Sequence, residues 1–231
     1  MVAEIIIPLL SLISLEIILG IDNVIFISVL SDKLPAAQRD KLRYWGLGLA
    51  MLIRLALLAV ISWILKLDQV LFTVLDIGIS GKGLILLAGG LFLLYKSSSE
   101  ILHKTENSDD DGVKIPAKTS FKNLLIEVIL LDLVFSIDSI ITAVGMVQEL
   151  WIMYVAVIVT VIIMLMASGP IGKFIQKHPS FKILALCFLM MIGVTLIAEG
   201  LLFKIPKGYI YFSMAFAFVV DFIQLKRLGN K

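Results

Sequence analysis

The chain has 231 residues, 60% of them hydrophobic and 16% charged, with a formal net charge of +2. Soluble domains run about 45–50% apolar and about 25% charged, and no basic field exists here to collect phosphates, so a soluble enzyme, a disordered chain and a nucleic-acid binder are excluded. One cysteine allows neither a disulfide framework nor a Cys-rich metal cage, and a mean hydropathy of +1.04 leaves a polytopic, all-α membrane protein.

A spanning helix needs roughly 20 apolar residues. Seven stretches qualify in chain order, near 5–30, 42–65, 82–101, 121–146, 151–170, 182–202 and 208–225. Their continuous character argues against a β-barrel, whose strands alternate. No basic n-region precedes the first stretch and no small-residue cleavage site follows it, so it is expected to stay as a helix rather than leave as a signal peptide. Residues 70–81 are apolar too, but Asp76, Gly78 and Gly81 interrupt them, which suits an interfacial segment or a re-entrant turn. Residues 97–120 are polar and carry the run Asp109, Asp110, Asp111. That run lacks the spaced ligands and closing Glu of a Ca²⁺ loop, so the segment reads as a flexible cytoplasmic linker. A single membrane domain over residues 1–231 follows, with a first repeat near 5–101, a second near 121–202 and a final helix near 208–225.

Basic residues set the orientation. With seven spans, fifteen Lys and Arg fall on one side, among them Lys33, Lys96, Lys182 and the tail residues Lys226, Arg227 and Lys231. Four fall on the other: Lys66, Lys82, Lys204 and Lys207. The imbalance places the N-terminus outside and the C-terminus in the cytoplasm, and an even span count would break it.

The sequence repeats at an offset of 116. The first span holds Leu15-Glu16-Ile17-Ile18-Leu19-Gly20-Ile21-Asp22-Asn23, and the fourth holds Leu131-Asp132-Leu133-Val134-Phe135-Ser136-Ile137-Asp138-Ser139. In each, an acid stands six residues before an Asp that a polar residue follows. Three spans separate the copies, so the second enters from the opposite side, the inverted architecture of many transporters. An Asp at the centre of a spanning helix costs about 2.5–3.5 kcal/mol, so four isolated acids would cost roughly 10–14 kcal/mol. A purely structural protein has no reason to carry them.

Helix geometry puts Glu16, Gly20 and Asn23 on one face, and Asp132, Ser136 and Ser139 on another. Asp22 and Asp138 lie about 120° around and roughly 9 Å along from their partner acids, so a local unwinding near Gly20 or Ser136 is expected to bring both acids to one site. The candidate ligands are Glu16, Asp22, Asn23, Asp132, Asp138 and Ser139, all oxygen donors, with Arg54, Ser136 and Glu199 as possible support. Such a set suits Mn²⁺, Mg²⁺ or Ca²⁺. Zinc and copper prefer imidazole or thiolate, and the chain offers only His103 and His178, both expected in loops, and Cys187, expected as a buried packing residue. Arg54, midway along the second span, is expected to pair with one of the acids. Glu199 and Asp221 sit near span ends, where an interfacial charge is the simpler reading. Glu127 suits a vestibule. Gly89 and Gly90 suit close helix packing.

The stretches LEIILGIDNVIFIS, DLVFSIDSIITAV and GVTLIAEGLLFKIPKGYIYFSMAF resemble the TerC family of integral membrane proteins, from residue 5 to about 225. The resemblance implies a link to tellurium resistance, export of Mn²⁺, and supply of Mn²⁺ to proteins being secreted. It carries the family's acidic motif onto Glu16, Asp22, Asn23, Asp132, Asp138 and Ser139. Flanking domains found in some relatives are not expected here. The function implied is a transporter that exports a divalent metal, most readily Mn²⁺, from a bacterial plasma or inner membrane. Export against an inside-negative potential costs about 4.6 kcal/mol per 100 mV. No phosphate-binding loop is present to supply it, since Gly81-Lys82-Gly83 has the wrong spacing, so coupling to protons is expected. The alternative is a membrane partner that hands Mn²⁺ to exported proteins beside the secretion machinery. An intramembrane hydrolase is weaker, because no nucleophile–His pair accompanies the acids, and the chain is not expected to be an enzyme.

Overall fold

The structure is a computed structural model that describes residues 2–74, 77–106, 120–147, 149–203 and 205–228. The elements are α1 (Val2–Ser31), α2 (Ala36–Ala59), a short α3 (Ile61–Ile64), a 3₁₀ turn (Leu65–Asp68), β1 (Val70–Val74), β2 (Ile77–Ser80), α4 (Gly81–Glu106), α5 (Phe121–Met146), α6 (Leu150–Lys177), α7 (Pro179–Gly200) and α8 (Lys207–Leu228). The protein is therefore an all-α polytopic membrane protein with one small hairpin. Among the described residues α1, α2, α4, α6 and α7 are long and apolar enough to cross a membrane. At about 1.5 Å per residue, the 26-residue α5 also has the reach.

Helix boundaries follow local chemistry. Pro35 precedes α2 with its fixed φ of −54°, and Pro179 opens α7, where a missing N–H costs nothing. Ser80 caps α4, its Oγ accepting the Gly83 N–H at 3.0 Å. The end of α7 is less usual. Phe203 N–H donates to Ala198 O at 2.9 Å and Leu202 N–H to Glu199 O at 3.0 Å, a Schellman closure. It puts Leu202 at φ 67°, the position glycine ordinarily takes.

Two expectations need correction here, and the segment 70–81 takes a regular form that the sequence left undefined: β1 and β2 pair antiparallel, with Thr73 opposite Gly78 and a register shift between Val70 and Phe72. The β-branched and aromatic residues of VLFTV favour this extended state. His103 lies within α4 rather than in a loop. Cys187 is exposed on α7 rather than buried. The linker acids Asp109 to Asp111, together with Asp76, lie outside the described residues.

Packing pairs α1 with α6, α2 with both α5 and α6, and α4 with α7. The α4–α7 seam is the closest. A Cβ on Gly83 would lie 2.8 Å from the Gly200 carbonyl, and one on Gly90 would lie 2.6 Å from the Gly193 carbonyl. Paired small residues thus let two backbones touch, which in lipid replaces the missing hydrophobic drive. Helix α5 threads the middle, burying Leu124, Val128, Leu131, Ile137 and Ile140. Helix α8 is peripheral and packs chiefly against α7.

One end of the bundle is tied by interhelical ion pairs: Lys33 with Glu100, Lys182 with Asp32, and Lys96 with Glu127 at 2.5 Å. Glu127 therefore belongs to a closed end rather than a vestibule. At the opposite end the hairpin, the start of α4 and the end of α7 enclose a polar cleft of about 550 Å³.

Candidate functional site

Both acid-bearing helices are continuous through the motif, so the expected unwinding near Gly20 and Ser136 does not occur. Gly20 serves packing instead: a Cβ there would collide with the Met164 sulfur of α6. Without a break, the six-residue spacing sends the two acids of each helix to different neighbours.

The deeper group centres on Arg54, only 2% exposed. Its Nη1 donates to Glu16 Oε2 at 2.5 Å and its Nη2 to Asp132 Oδ1 at 3.0 Å. The guanidinium fork thus joins α1 and α5 from α2 and reaches two acids rather than one. Asn23 Nδ2 donates to Asp132 Oδ1 and Ser136 Oγ donates to Asp132 Oδ2, each at 3.1 Å. Arg54 Nε has no hydrogen-bond partner among the described residues. Two carboxylates against one guanidinium leave the group one formal negative charge.

The second group lies toward the cleft. Lys82 Nζ sits 2.9 Å from Asp138 Oδ1, and Lys207 Nζ donates to Asp138 Oδ2. Lys207 is also 4.0 Å from Glu199 Oε1. A small cavity of about 40 Å³ touches Asp22, Arg54, Asp138, Ser139, Glu199, Lys207 and Tyr211. Asp22 is 7% exposed and makes no hydrogen bond or ion pair among the described residues. Asp138, Glu199 and Lys207 line the open cleft as well, so cleft and cavity share a wall.

Five of the nine residues singled out in the sequence therefore meet at one cavity: Asp22, Asp138, Ser139, Glu199 and Arg54. Glu16, Asn23, Asp132 and Ser136 are held in the Arg54 group. Among the described residues no three His, Cys, Asp or Glu side chains stand close enough together to hold a metal ion. The four acids do not share one ligand sphere, because cationic side chains stand between them. Lys82, Lys207 and Tyr211 were missed. A signal for the lysines existed: each sits in the first turn of a helix, where the helix dipole disfavours a cation, so each calls for an acid nearby.

Long apolar helices around buried, mutually compensated charges define a polytopic membrane protein with an ionic core. The comparisons sharpen that class. The family model described as "Integral membrane protein TerC family" matches residues 1–227, and the chain belongs to that family. It is 50% identical over 220 residues to the UPF0053 protein of Haemophilus influenzae, covering 95% of this chain and 93% of that one. It is 48% identical over 213 residues to the UPF0053 inner membrane protein YgdQ of Escherichia coli K12, covering 92% and 89% respectively. It is also 48% identical over 220 residues to the inner membrane protein YoaE of the same strain, where the match covers 95% of this chain but spans only 42% of YoaE. No solved structure matches.

Proposed function

We propose that the protein is an inner-membrane transporter for a divalent metal ion, with Mn²⁺ the favoured substrate, and that it exports the ion from the cytoplasm. The observation that carries this reading is the small cavity lined by Asp22, Asp138 and Glu199 beside a polar cleft open to one end. Burying unpaired Asp22 in apolar surroundings has a cost that a structural role does not explain. The donors are carboxylates and the Ser139 hydroxyl, hard oxygens suited to Mn²⁺, Mg²⁺ or Ca²⁺.

The Arg54 group supports the reading from below. It fixes α1, α2 and α5 together at the level of the first acid in each repeat, and so sets where Asp22 and Asp138 stand about one and two-thirds turns further along their own helices. The contact pattern, α1 with α6, α2 with α5 and α4 with α7, is what two oppositely inserted copies would produce. On this reading the cleft faces outward, since Lys82 and Lys207 belong to the sparsely basic side, while the ion pairs of Lys33, Lys96 and Lys182 close the cytoplasmic end. Protons returning through the carboxylates supply the driving force.

The test is uptake into proteoliposomes of Mn²⁺, Mg²⁺ and Ca²⁺ by the parent, with Asp22→Ala and Asp138→Ala alongside. Flux by the parent that both variants lose, and that a pH gradient accelerates, is expected. Flux equal in all three proteins removes the site; flux indifferent to the gradient removes the coupling. Metal release only when secretion components are added would favour delivery to exported proteins.

A further inference from the structure

Asp138 has no free carboxylate oxygen. Lys82 holds one and Lys207 the other. Any cation that binds Asp138 must first displace an ammonium, and the two lysines are not equivalent. Lys82 follows Ser80, whose hydroxyl caps α4, and precedes Gly83, whose backbone touches that of Gly200. Its helix is pinned. Lys207 opens α8, the peripheral helix, and its side chain is 33% exposed against 19% for Lys82. Lys207 alone of the two lines both the buried cavity and the open cleft.

We infer that Lys207 is a tethered counter-cation: its ammonium occupies the metal position between Asp138 and Glu199, and an incoming divalent ion displaces it toward the cleft. The inference rests on the transport reading above and deepens it by naming the residue that sets affinity and exchange. Formal charge is consistent with the swap. Asp22, Asp138 and Glu199 against Lys82 and Lys207 leave one negative charge. A divalent ion in place of Lys207 brings the sum to zero. Asp22, buried and without a hydrogen-bond or ion-pair partner among the described residues, supplies a carboxylate that none of their ammoniums reaches. Because the competitor is covalently attached, it competes at fixed effective concentration, so it lowers metal affinity by the fraction of time it is engaged. Such a device suits a transporter, which must release what it binds: the returning ammonium expels the ion without leaving bare carboxylates in the membrane.

The experiment is Mn²⁺ binding to the full chain in nanodiscs, read from loss of the free-ion electron paramagnetic resonance signal, for the parent, Lys207→Gln, Lys207→Arg, Lys82→Gln and Asp138→Asn. With Lys207 engaged about nine-tenths of the time, Lys207→Gln should bind roughly tenfold tighter. Lys207→Arg, which keeps the competing charge, should bind no tighter than the parent. Lys82→Gln should bind no tighter than the parent, and Asp138→Asn should lose most binding. Binding by the parent that Lys207→Gln leaves unchanged or weakens overturns the inference and spares the transport reading. So does equal tightening by Lys207→Gln and Lys207→Arg, which would point to packing rather than charge. Absence of Mn²⁺ binding in every protein overturns both. If Lys207→Gln fails to yield monodisperse protein, Lys207→Arg and Lys82→Gln still decide: tighter binding by either one than by the parent contradicts the assignment to Lys207.

Discussion

The first acids of the two repeats, Glu16 and Asp132, and the second acids, Asp22 and Asp138, occupy equivalent sequence positions but meet different cations. Glu16 and Asp132 share one rigid guanidinium from the C-terminal part of α2, almost wholly buried. Asp138 meets two flexible ammoniums at helix starts beside an open cleft, and Asp22 meets none among the described residues. A planar fork that bridges two helices suits permanent fixation. A lysine on a peripheral helix suits exchange. The same motif residue type thus serves architecture in one group and, on the proposed function, ligand exchange in the other, and the deciding factor is which cation the neighbouring helix offers.

The sharpest way to break this contrast is to remove Arg54. Arg54→Leu leaves two buried carboxylates uncompensated and should cost about 3–5 kcal/mol, read as a fall in the thermal midpoint of the purified protein in lipid. Arg54→Lys should recover only part of this, since one ammonium cannot reproduce two directed bonds. Closing the glycine seam comes next. Gly90→Ala drives a methyl into the Gly193 carbonyl and should cost about 1–3 kcal/mol, because two backbones must separate. Ser136→Ala removes one hydrogen bond to Asp132 and should cost about 1 kcal/mol. Asp138→Asn should change stability by less than about 1 kcal/mol, because its lysine partners are part-exposed, while the proposed function expects it to lose metal binding. If Asp138→Asn destabilises as much as Arg54→Leu, the division into a fixed and an exchangeable group fails. One change should be a gain: Leu202→Gly relieves the left-handed backbone at the end of α7, and should raise stability by about 1 kcal/mol.

Much of the fold was legible because a bilayer imposes a length and a composition on each span. The stretch 5–30 is α1 (Val2–Ser31) within a few residues, and 121–146 is α5 itself. The reading fell short where polarity and helicity part company. The polar turns Ser97-Ser98-Ser99-Glu100 were given to the linker, yet α4 runs to Glu106, because Ser97 faces the bundle interior and Glu100 pairs with Lys33. The hairpin was hidden since short apolar runs fit strand and helix alike. The acids were legible as buried charges, and Arg54 as their partner. Their division into two groups was not, since it depends on three-dimensional neighbours: helices that stay straight through Gly20 and Ser136, and lysines supplied from α4 and α8. Those lysines carried an orientation signal that masked their second role beside Asp138.

The central claim is that the position between Asp138 and Glu199 receives a divalent ion at the expense of the Lys207 contact. Crystals grown with Mn²⁺ and measured at its absorption edge address it directly. The account predicts an anomalous peak between those two carboxylates, with the Lys207 ammonium turned into the cleft. A peak confined to surface acids, with Lys207 still on Asp138, would contradict it.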